Sequence, residues 1–415
     1  MQTQLAPQYQ GTPDGQAAEA VLRKCVHCGF CTATCPTYQL LGDELDGPRG
    51  RIYLMKQVLE GATPTRKTQQ HLDRCLTCRN CESTCPSGVQ YGHLLDIGRK
   101  LVDQQVPRPT GERALRWALK EGLSSPLFAP AMAVGRGLRA FLPQALKDKV
   151  PAPQRTGAWP TGTHPRKLLM LAGCVQPSMS PNINAASARV FDAAGIQVLI
   201  APAAGCCGAV KFHLNDQDGG MAQMRANIDA WWPYLDDHNG TPAAEGIVIN
   251  ASGCGATVKD YGHILRDDPL YADKARRISE SAQDISQWLP ELSQLLRDRV
   301  QARASRIAYH PPCSLQHGMQ VRGQVERYMA ELGFNLRICG QESHLCCGSA
   351  GTYSVLNPEL SHQLRDRKLG HLASTFGTEP PEQIVSANIG CIPHLQSGTA
   401  TPVRHWIELL DEALP

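Results

Sequence analysis

A chain of 415 residues is too long for one ordinary core and points to two or three domains, each burying its own apolar interior. Its 41 Lys and Arg against 38 Asp and Glu nearly cancel, which leaves no strong field to mark a nucleic-acid or anionic-membrane partner. Its 17 cysteines are an odd number and nearly half crowd into two short clusters with three-residue steps, a pattern that argues against a secreted disulfide framework and for metal ligation in a reducing compartment.

The first residues, MQTQLAPQYQGTPDGQ, read as a polar leader without the basic start and apolar core of a secretion signal. No later run approaches the ~18 apolar residues that would span a bilayer. The expected state is therefore soluble, or held at a membrane by something else.

Next comes CVHCGFCTATCP at 25–36, and fifty positions on CLTCRNCESTCP at 75–86. Each reads Cys-x2-Cys-x2-Cys-x3-Cys-Pro, the spacing of the bacterial ferredoxin run. Three thiolates fit a tight loop around one cubane iron-sulfur cluster, and the fourth, carried away by the turn before proline, ligates the other cluster when two motifs are present. The expected ligand sets are Cys25, Cys28, Cys31 and Cys85 for one [4Fe-4S] cluster, and Cys75, Cys78, Cys81 and Cys35 for the second. Structural zinc would also accept four thiolates, but it usually takes two separated Cys-x2-Cys knuckles. Pro36 and Pro86 fix the direction of the chain just after each exchanged ligand. Polar neighbours His27, Thr77, Arg79 and Asn80 receive no role. Between the clusters, GDELDGPRGRIYLMKQVLEG reads as a loop and a helix whose apolar face holds Ile52, Leu54, Met55, Val58 and Leu59.

From 112 to 149 the pattern is helical and mixes apolar with basic residues. It could rest on a membrane surface or dock a partner, and packing between domains is the expected use. The Pro-rich stretch that follows places a domain boundary near residue 160. Beyond it, short apolar runs such as KLLMLAG, IQVLIAP and GIVINAS alternate with helical segments, the rhythm of an α/β domain with a mostly parallel sheet.

This half repeats itself. Cys174, Cys206-Cys207 and Cys254 are echoed by Cys313, Cys346-Cys347 and Cys391, at offsets 313−174=139, 346−206=140 and 391−254=137. Each set supplies four thiols from the ends of three expected strands, at the edge where open α/β sheets usually hold ligands. Gly208 and Gly348 would let the chain turn where two adjacent thiols face one site. A further iron-sulfur cluster, a zinc site, and small buried or redox-active cysteines are the competing readings. Histidines 310, 317, 344 and 394 gather in the second repeat, with His213 as the analogue in the first, and stand as secondary candidates.

No nucleotide site emerges. The G-x-G-x-x-A match GRGLRA at 135–140 follows a helical stretch instead of a strand and lacks the later acidic residue; there is no P-loop and no flavin fingerprint. Such a chain can relay electrons but has no evident place to remove a hydride from a substrate.

The fold expected is an α-helical two-cluster ferredoxin-like N-terminal domain followed by an α/β domain made of two duplicated cysteine-rich repeats. Its divisions are 17–105 for the cluster domain, 106–165 for the connector and linker, 166–300 for repeat one and 301–415 for repeat two. The two ferredoxin runs, GPRGRIY at 47–53, GCCG and LCCGSAGTY together resemble the iron-sulfur subunits of bacterial glycolate oxidases, a group of duplicated cysteine-rich CCG-repeat proteins. Related subunits serve anaerobic glycerol-3-phosphate dehydrogenase and lactate-oxidising systems.

The resemblance implies an electron-transfer subunit without catalytic residues of its own. Partner subunits carrying FAD would oxidise glycolate to glyoxylate, and this chain would pass electrons toward the quinone pool from the cytoplasmic face of the inner membrane. The repeats also resemble those of heterodisulfide reductase, whose repeats end in Cys-x2-Cys; here Thr257 and His394 occupy that last position. The alternative readings are an iron-sulfur subunit of a related lactate or glycerol-3-phosphate dehydrogenase, or a thiol or disulfide reductase using the C-terminal sets, and a metal-stabilised scaffold is the third.

Overall fold

A computed structural model describes residues 1–143, 147, 150–236 and 243–415. The chain divides into two compact units: 1–116 with 344–364, and 117–343 with 365–415.

In the first unit the helices Pro13–Lys24, Pro48–Leu59, Arg66–Asp73 and Tyr91–Gln105 enclose one core built on Leu22, Met55, Leu59, Leu72, Leu94 and Leu95. The apolar face read between the clusters is the inner face of Pro48–Leu59, where Ile52, Met55, Val58 and Leu59 are buried and Leu54 half-buried. That helix approaches Tyr91–Gln105 closely because position 98 is glycine; a Cβ there would collide with Met55 Sδ. Each cysteine run is a loop that turns into one short helix, Phe30–Ala33 or Asn80–Thr84. Pro36 then opens the helix Pro36–Leu41 with Cys35 as its cap, a first-turn position where the missing amide costs nothing.

The second unit carries two four-stranded sheets. Strands β1 (Arg166–Met170), β2 (Ile196–Leu199), β3 (Ile247–Ile249) and β4 (Ala282–Asp284) lie in the order β2-β1-β3-β4. Strands β5 (Ile307–His310), β6 (Leu336–Ile338), β7 (Gln383–Ser386) and β8 (Val403–His405) lie in the order β6-β5-β7-β8. Every pairing is parallel, with registers such as Leu168↔Val198 and Ala308↔Ile384. Parallel strands are usually covered on both faces, which is why β3 and the last three residues of β1, Leu168 to Met170, are apolar and buried.

The two sheets exchange helices. Asn182–Ala193, which leads to β2, packs on Trp406–Glu412, which follows β8, with Arg189 paired to Asp411 at 2.6 Å and Asn182 Nδ2 donating to Glu408 Oε1 at 2.9 Å. Leu289–Leu296, after β4, packs in the same way on Gln324–Glu331, after β5. Near the sheet edges, Ser252 N donates to Ala387 O at 3.1 Å and Gly253 N to Asn388 Oδ1 at 3.2 Å.

The connector departs from expectation. Helices Thr110–Ser124 and Phe128–Gly137 bury no residue, and Trp117, Leu127, Val134, Leu138 and Phe141 lie exposed instead of facing a core. The end of that helical stretch, at 144–146, 148 and 149, lies outside the described residues.

The fourth strands end in matching capping boxes. Asp284 Oδ1 accepts from Ser286 N at 2.9 Å, and His405 Nδ1 accepts from Ile407 N at 3.1 Å. Burial holds the His405 imidazole neutral, pushing its pKa down to about 3. The unfolded chain takes up a proton near pH 6.5 that the folded chain declines. Stability is therefore full above pH 6.5 and is lost progressively as pH falls toward 3, by several kcal/mol in total. Asp284 acts in the opposite sense: burial raises its pKa to about 6, so its contribution is full below the ordinary carboxylate range and lost as pH rises through 6. Acid melts of the parent against His405→Asn, whose amide oxygen can still cap, should show a shallower decline below pH 6.5 in the variant. Parallel curves would clear His405 of the effect.

Candidate iron-sulfur and metal sites

The loops of the first unit have one shape used twice. His27 and Thr77 are left-handed at φ 57° and 52°, and Gly29 and Arg79 at φ 87° and 58°. For the three residues with side chains this conformation costs of the order of 1–2 kcal/mol each. The alternation turns successive cysteines and amides inward: Thr77 N donates to Cys75 Sγ at 3.5 Å. Arg79 is held in place by Glu82 at 2.9 Å, and Glu82 Oε1 accepts from Gly92 N at 2.6 Å. Asn80 Nδ2 donates to Thr34 O at 3.0 Å, which ties one run to the other. The polar loop residues given no role from sequence thus shape and brace the loops.

Two recesses result. One, about 440 Å³, is lined by Cys25, Cys28, Cys31 and Cys85, with Val26, Phe30, Ile52 and Val89 among its apolar walls. The other, about 300 Å³, is lined by Cys35, Cys75, Cys78 and Cys81 with Thr37, Arg51 and Leu76. Cys81 and the buried Tyr91 border both, and Tyr91 Oη donates to Cys75 Sγ at 3.6 Å. Around the first recess Cys28, Val26 and Phe30 are exposed, whereas Cys35, Cys75 and Cys81 at the second are buried.

The donor sets fit a cationic cluster. Burial and then the neighbouring Cys25 push the Cys31 thiol up to about 11, and burial followed by Cys78 and Cys75 raises Cys81. Such thiols can all be ionised together only around positive charge. In a tetrahedral zinc site thiolates sit ~3.8 Å apart, given Zn–S near 2.3 Å. Among the described residues, no three of these thiols lie within 4.8 Å of one another, a spread that suits a larger group.

Sequence reading passed over the charged residues beside the second recess. Arg51 is wholly buried; its Nε donates to His71 O at 2.7 Å, Nη1 to Thr37 Oγ1 at 3.1 Å and Nη2 to Asp46 Oδ1 at 3.4 Å. Asp46, equally buried, also meets Arg74 at 2.8 Å and His71 at 3.1 Å. Thr37 Oγ1 lies 3.3 Å from Cys35 Sγ, which links the arginine to a thiol. Arg99 donates to Leu72 O at 2.8 Å and Cys75 O at 2.7 Å. The available signal was an arginine in the apolar phase of a helix, four residues before Met55.

In the second unit Cys174 follows β1, Cys206-Cys207 follow β2 and Cys254 follows β3, so the first repeat gathers its thiols at the carboxyl edge near the β1/β3 switch point. Cys206 accepts hydrogen bonds from the thiols of Cys174 and Cys207 and from the amides of Gly208 and Val210, which hold it ionised well below the ordinary thiol range. Cys174 is raised by its bond to Cys206 and by burial, and Cys207 by its bonds to Cys206 and Cys254 and by burial.

The vicinal pair is pinned through its backbone: Asn227 Nδ2 donates to Cys206 O and Tyr261 Oη to Cys207 O, each at 2.8 Å. Gly208 sits at φ 90°, where a Cβ would lie 2.7 Å from Gly220 O. A buried amide network, Gln176 to Asn184 at 2.6 Å and Asn250 to Asn184 at 2.9 Å, fastens the loop bearing Cys174 to the end of β3.

In the second repeat Cys313 and Cys391 follow β5 and β7 in the same unit. Cys346 and Cys347 are buried in the segment 344–364, which belongs to the first unit. Gly348 N donates to Cys346 Sγ at 3.4 Å, and Ser361 Oγ donates to Gly348 O at 2.8 Å. Of the secondary histidines, His310 is wholly buried and His317 and His394 nearly so.

These features define a two-module iron-sulfur class of protein. Residues 21–89 match the 4Fe-4S dicluster domain, and 168–259 and 307–396 match the Cysteine-rich domain. The chain is 54% identical over 416 residues to the glycolate oxidase iron-sulfur subunit of Escherichia coli (strain K12), covering 100% of this chain and 99% of that one. It is 29% identical over 432 residues to the probable glycolate oxidase iron-sulfur subunit of Bacillus subtilis (strain 168), covering 95% and 94%. Lactate utilization protein A of Geobacillus thermodenitrificans (strain NG80-2) is 25% identical over 258 residues, 59% of this chain and 98% of that protein. The chain belongs to the family of glycolate oxidase iron-sulfur subunits.

Proposed function

We propose that this chain is the electron-transfer subunit of a flavin-dependent glycolate oxidase. It would hold two [4Fe-4S] clusters, one on Cys25, Cys28, Cys31 and Cys85 and the other on Cys75, Cys78, Cys81 and Cys35. The observation that carries this reading is the pair of recesses: the first is lined by the three leading cysteines of the first run and by Cys85, with Cys81 at its border, and the second by the three leading cysteines of the second run and by Cys35. A cluster supplies one-electron storage and release at each recess. The chain's own residues set the conditions. Tyr91 is buried and borders both recesses, and Thr77 N and Tyr91 Oη donate toward Cys75 Sγ.

Glycolate oxidation to glyoxylate then belongs to partner subunits that carry FAD, and the electrons leave toward the quinone pool. For docking, the first recess offers an exposed rim of Val26, Phe30 and Cys28. A peripheral position at the cytoplasmic face of the inner membrane is supported by the exposed Trp117, Leu127, Val134 and Phe141 with Arg113, Arg136 and Arg139 on the same stretch. No described helix is long and apolar enough to cross a membrane.

The test is metal and sulfide analysis of the anaerobically purified chain, with EPR of its reduced form, followed by assay of the assembled complex. The isolated chain should carry about eight irons in its N-terminal sites and turn over no glycolate without flavin subunits. Cys78→Ser should abolish glycolate-dependent quinone reduction by the complex. Intact quinone reduction in that variant would defeat the relay, and disulfide reduction by the isolated chain would favour the thiol-reductase reading.

A further inference from the structure

The connector contains PLFAPAMAVGRGLRAFLP at 126–143, which forms the helix Phe128–Gly137 and the short turn Arg139–Phe141. Apart from two arginines, this stretch has no side chain that can make a hydrogen bond. Its two sides differ. Met132, Gly135 and Arg136 are half-buried on the inner side, where the helix packs on Gln176–Met179 and a Cβ at Gly135 would meet Val150 at 3.6 Å. On the outer side Leu127, Ala131, Val134, Leu138 and Phe141 recur at alternating steps of four and three, the period of one helix face. Every exposed residue of 126–143 is apolar, proline or glycine, and Phe141 stands 86% exposed.

An apolar face of this kind marks a surface that something covers. A protein partner is the poorer fit. Protein interfaces carry about one hydrogen bond per 100–200 Å² and a polar rim, and the exposed side chains here can make neither. Hydrocarbon asks for none. The helix has ten residues, about 15 Å at 1.5 Å per residue and half the thickness of a bilayer core, so it lies on a membrane and does not cross it.

The charges nearby leave one sign over. Glu121, the last acid before the stretch, is answered by Lys211 at 3.0 Å, and Asp216 by Lys120 at 3.1 Å; from 122 to 143 there is no Asp or Glu. Arg136 donates to Ser178 O, and Arg139 Nε donates to Val150 O at 2.9 Å. These carbonyls orient the two guanidiniums without neutralising them. Two cations beside an apolar face match the anionic headgroups and acyl chains of a phospholipid surface. Trp117, exposed on the preceding helix, is the kind of side chain that settles at the headgroup level.

We propose that 126–143 is a membrane-binding element. Its outer face enters the acyl boundary of an anionic phospholipid surface with Arg136 and Arg139 at the headgroups, so that this chain attaches to the membrane without the flavin subunits. The inference deepens the peripheral position proposed above and rests on that reading, but it is independent of the route of electrons.

The experiment is anaerobic flotation of the full chain, alone and in the assembled complex, on vesicles of phosphatidylcholine and on vesicles of equal parts phosphatidylcholine and phosphatidylglycerol. The parent chain alone should bind the mixed vesicles about tenfold more tightly or better. A chain with Leu138→Ser and Phe141→Ser, both exposed positions, should bind them at least about a hundredfold more weakly while keeping the iron content and reduced EPR spectrum of the parent. Arg139→Gln should still bind but lose about fivefold of the preference for anionic lipid. In the complex, the double serine variant should retain the flavin subunits and glycolate-dependent reduction of a soluble dye. Dye reduction reports the relay and flotation the attachment, so the two readings fail separately. A parent chain that floats with neither vesicle, a serine variant that floats like the parent, or an Arg139→Gln chain with the parent's preference would each overturn the proposal. So would a serine variant that sheds the flavin subunits, which would give the face to a protein partner.

Discussion

An Arg51→Met chain should melt, in its N-terminal unit, roughly 10 °C or more below the parent and should carry its second cluster at a more negative potential. The guanidinium satisfies three groups at once, His71 O, Thr37 Oγ1 and the carboxylate of Asp46. Methionine fills much of the volume but leaves Asp46 charged, buried and reliant on Arg74 and His71. Breaking a buried pair from one side costs about 3–5 kcal/mol.

The potential should move because Arg51 is a buried positive charge in the field of Cys75 and Cys35. Reduction adds negative charge beside it, and a buried cation favours the reduced form. Arg51→Lys should recover most of the potential but only part of the stability, since an ammonium cannot reproduce the fork. Calorimetry and an EPR-monitored redox titration of the three proteins would separate the effects. A folded Arg51→Met chain with the parent potentials would show that the charge does not act on the cluster.

The second large effect is expected from the exchanged cysteines. Cys35 is four residues from Cys31 yet lines the recess of Cys75, Cys78 and Cys81, and Cys85 lines that of Cys25, Cys28 and Cys31. Cys35→Ser should therefore leave the same residual EPR spectrum as Cys78→Ser, while Cys85→Ser should match Cys28→Ser. Each variant should lose about four irons and with them glycolate-dependent electron flow in the complex. If Cys35→Ser instead matched Cys28→Ser, each run would ligate its own cluster and the exchange would be wrong.

The spacing of cysteines carried most of the local chemistry. A three-residue step leaves a loop few ways to place its thiols, and a constant offset along the second half marks duplication whatever the tertiary arrangement. The alternation of apolar runs with helical segments likewise indicated parallel sheets, because strands covered on both faces are apolar over most of their length. By contrast, Arg51 and Asp46 look from sequence like surface charges on a loop and a helix. Their burial arises only when the helices Pro48–Leu59 and Arg66–Asp73 close over them. The connector misled in the opposite direction: its apolar stripe suggested a covered face, and its large side chains lie exposed.

What the sequence by itself determined is therefore the inventory: two ferredoxin-type runs, two related α/β repeats and no nucleotide-binding fingerprint. Tertiary structure alone decided which side chains share a site. It set Tyr91 between two recesses, placed 344–364 with the N-terminal unit, and left the outer face of 126–143 uncovered. The physical reason is one of range. Ligand spacing and strand character are fixed by neighbours a few residues apart, whereas burial and the pairing of charges depend on segments that meet only when the chain has packed.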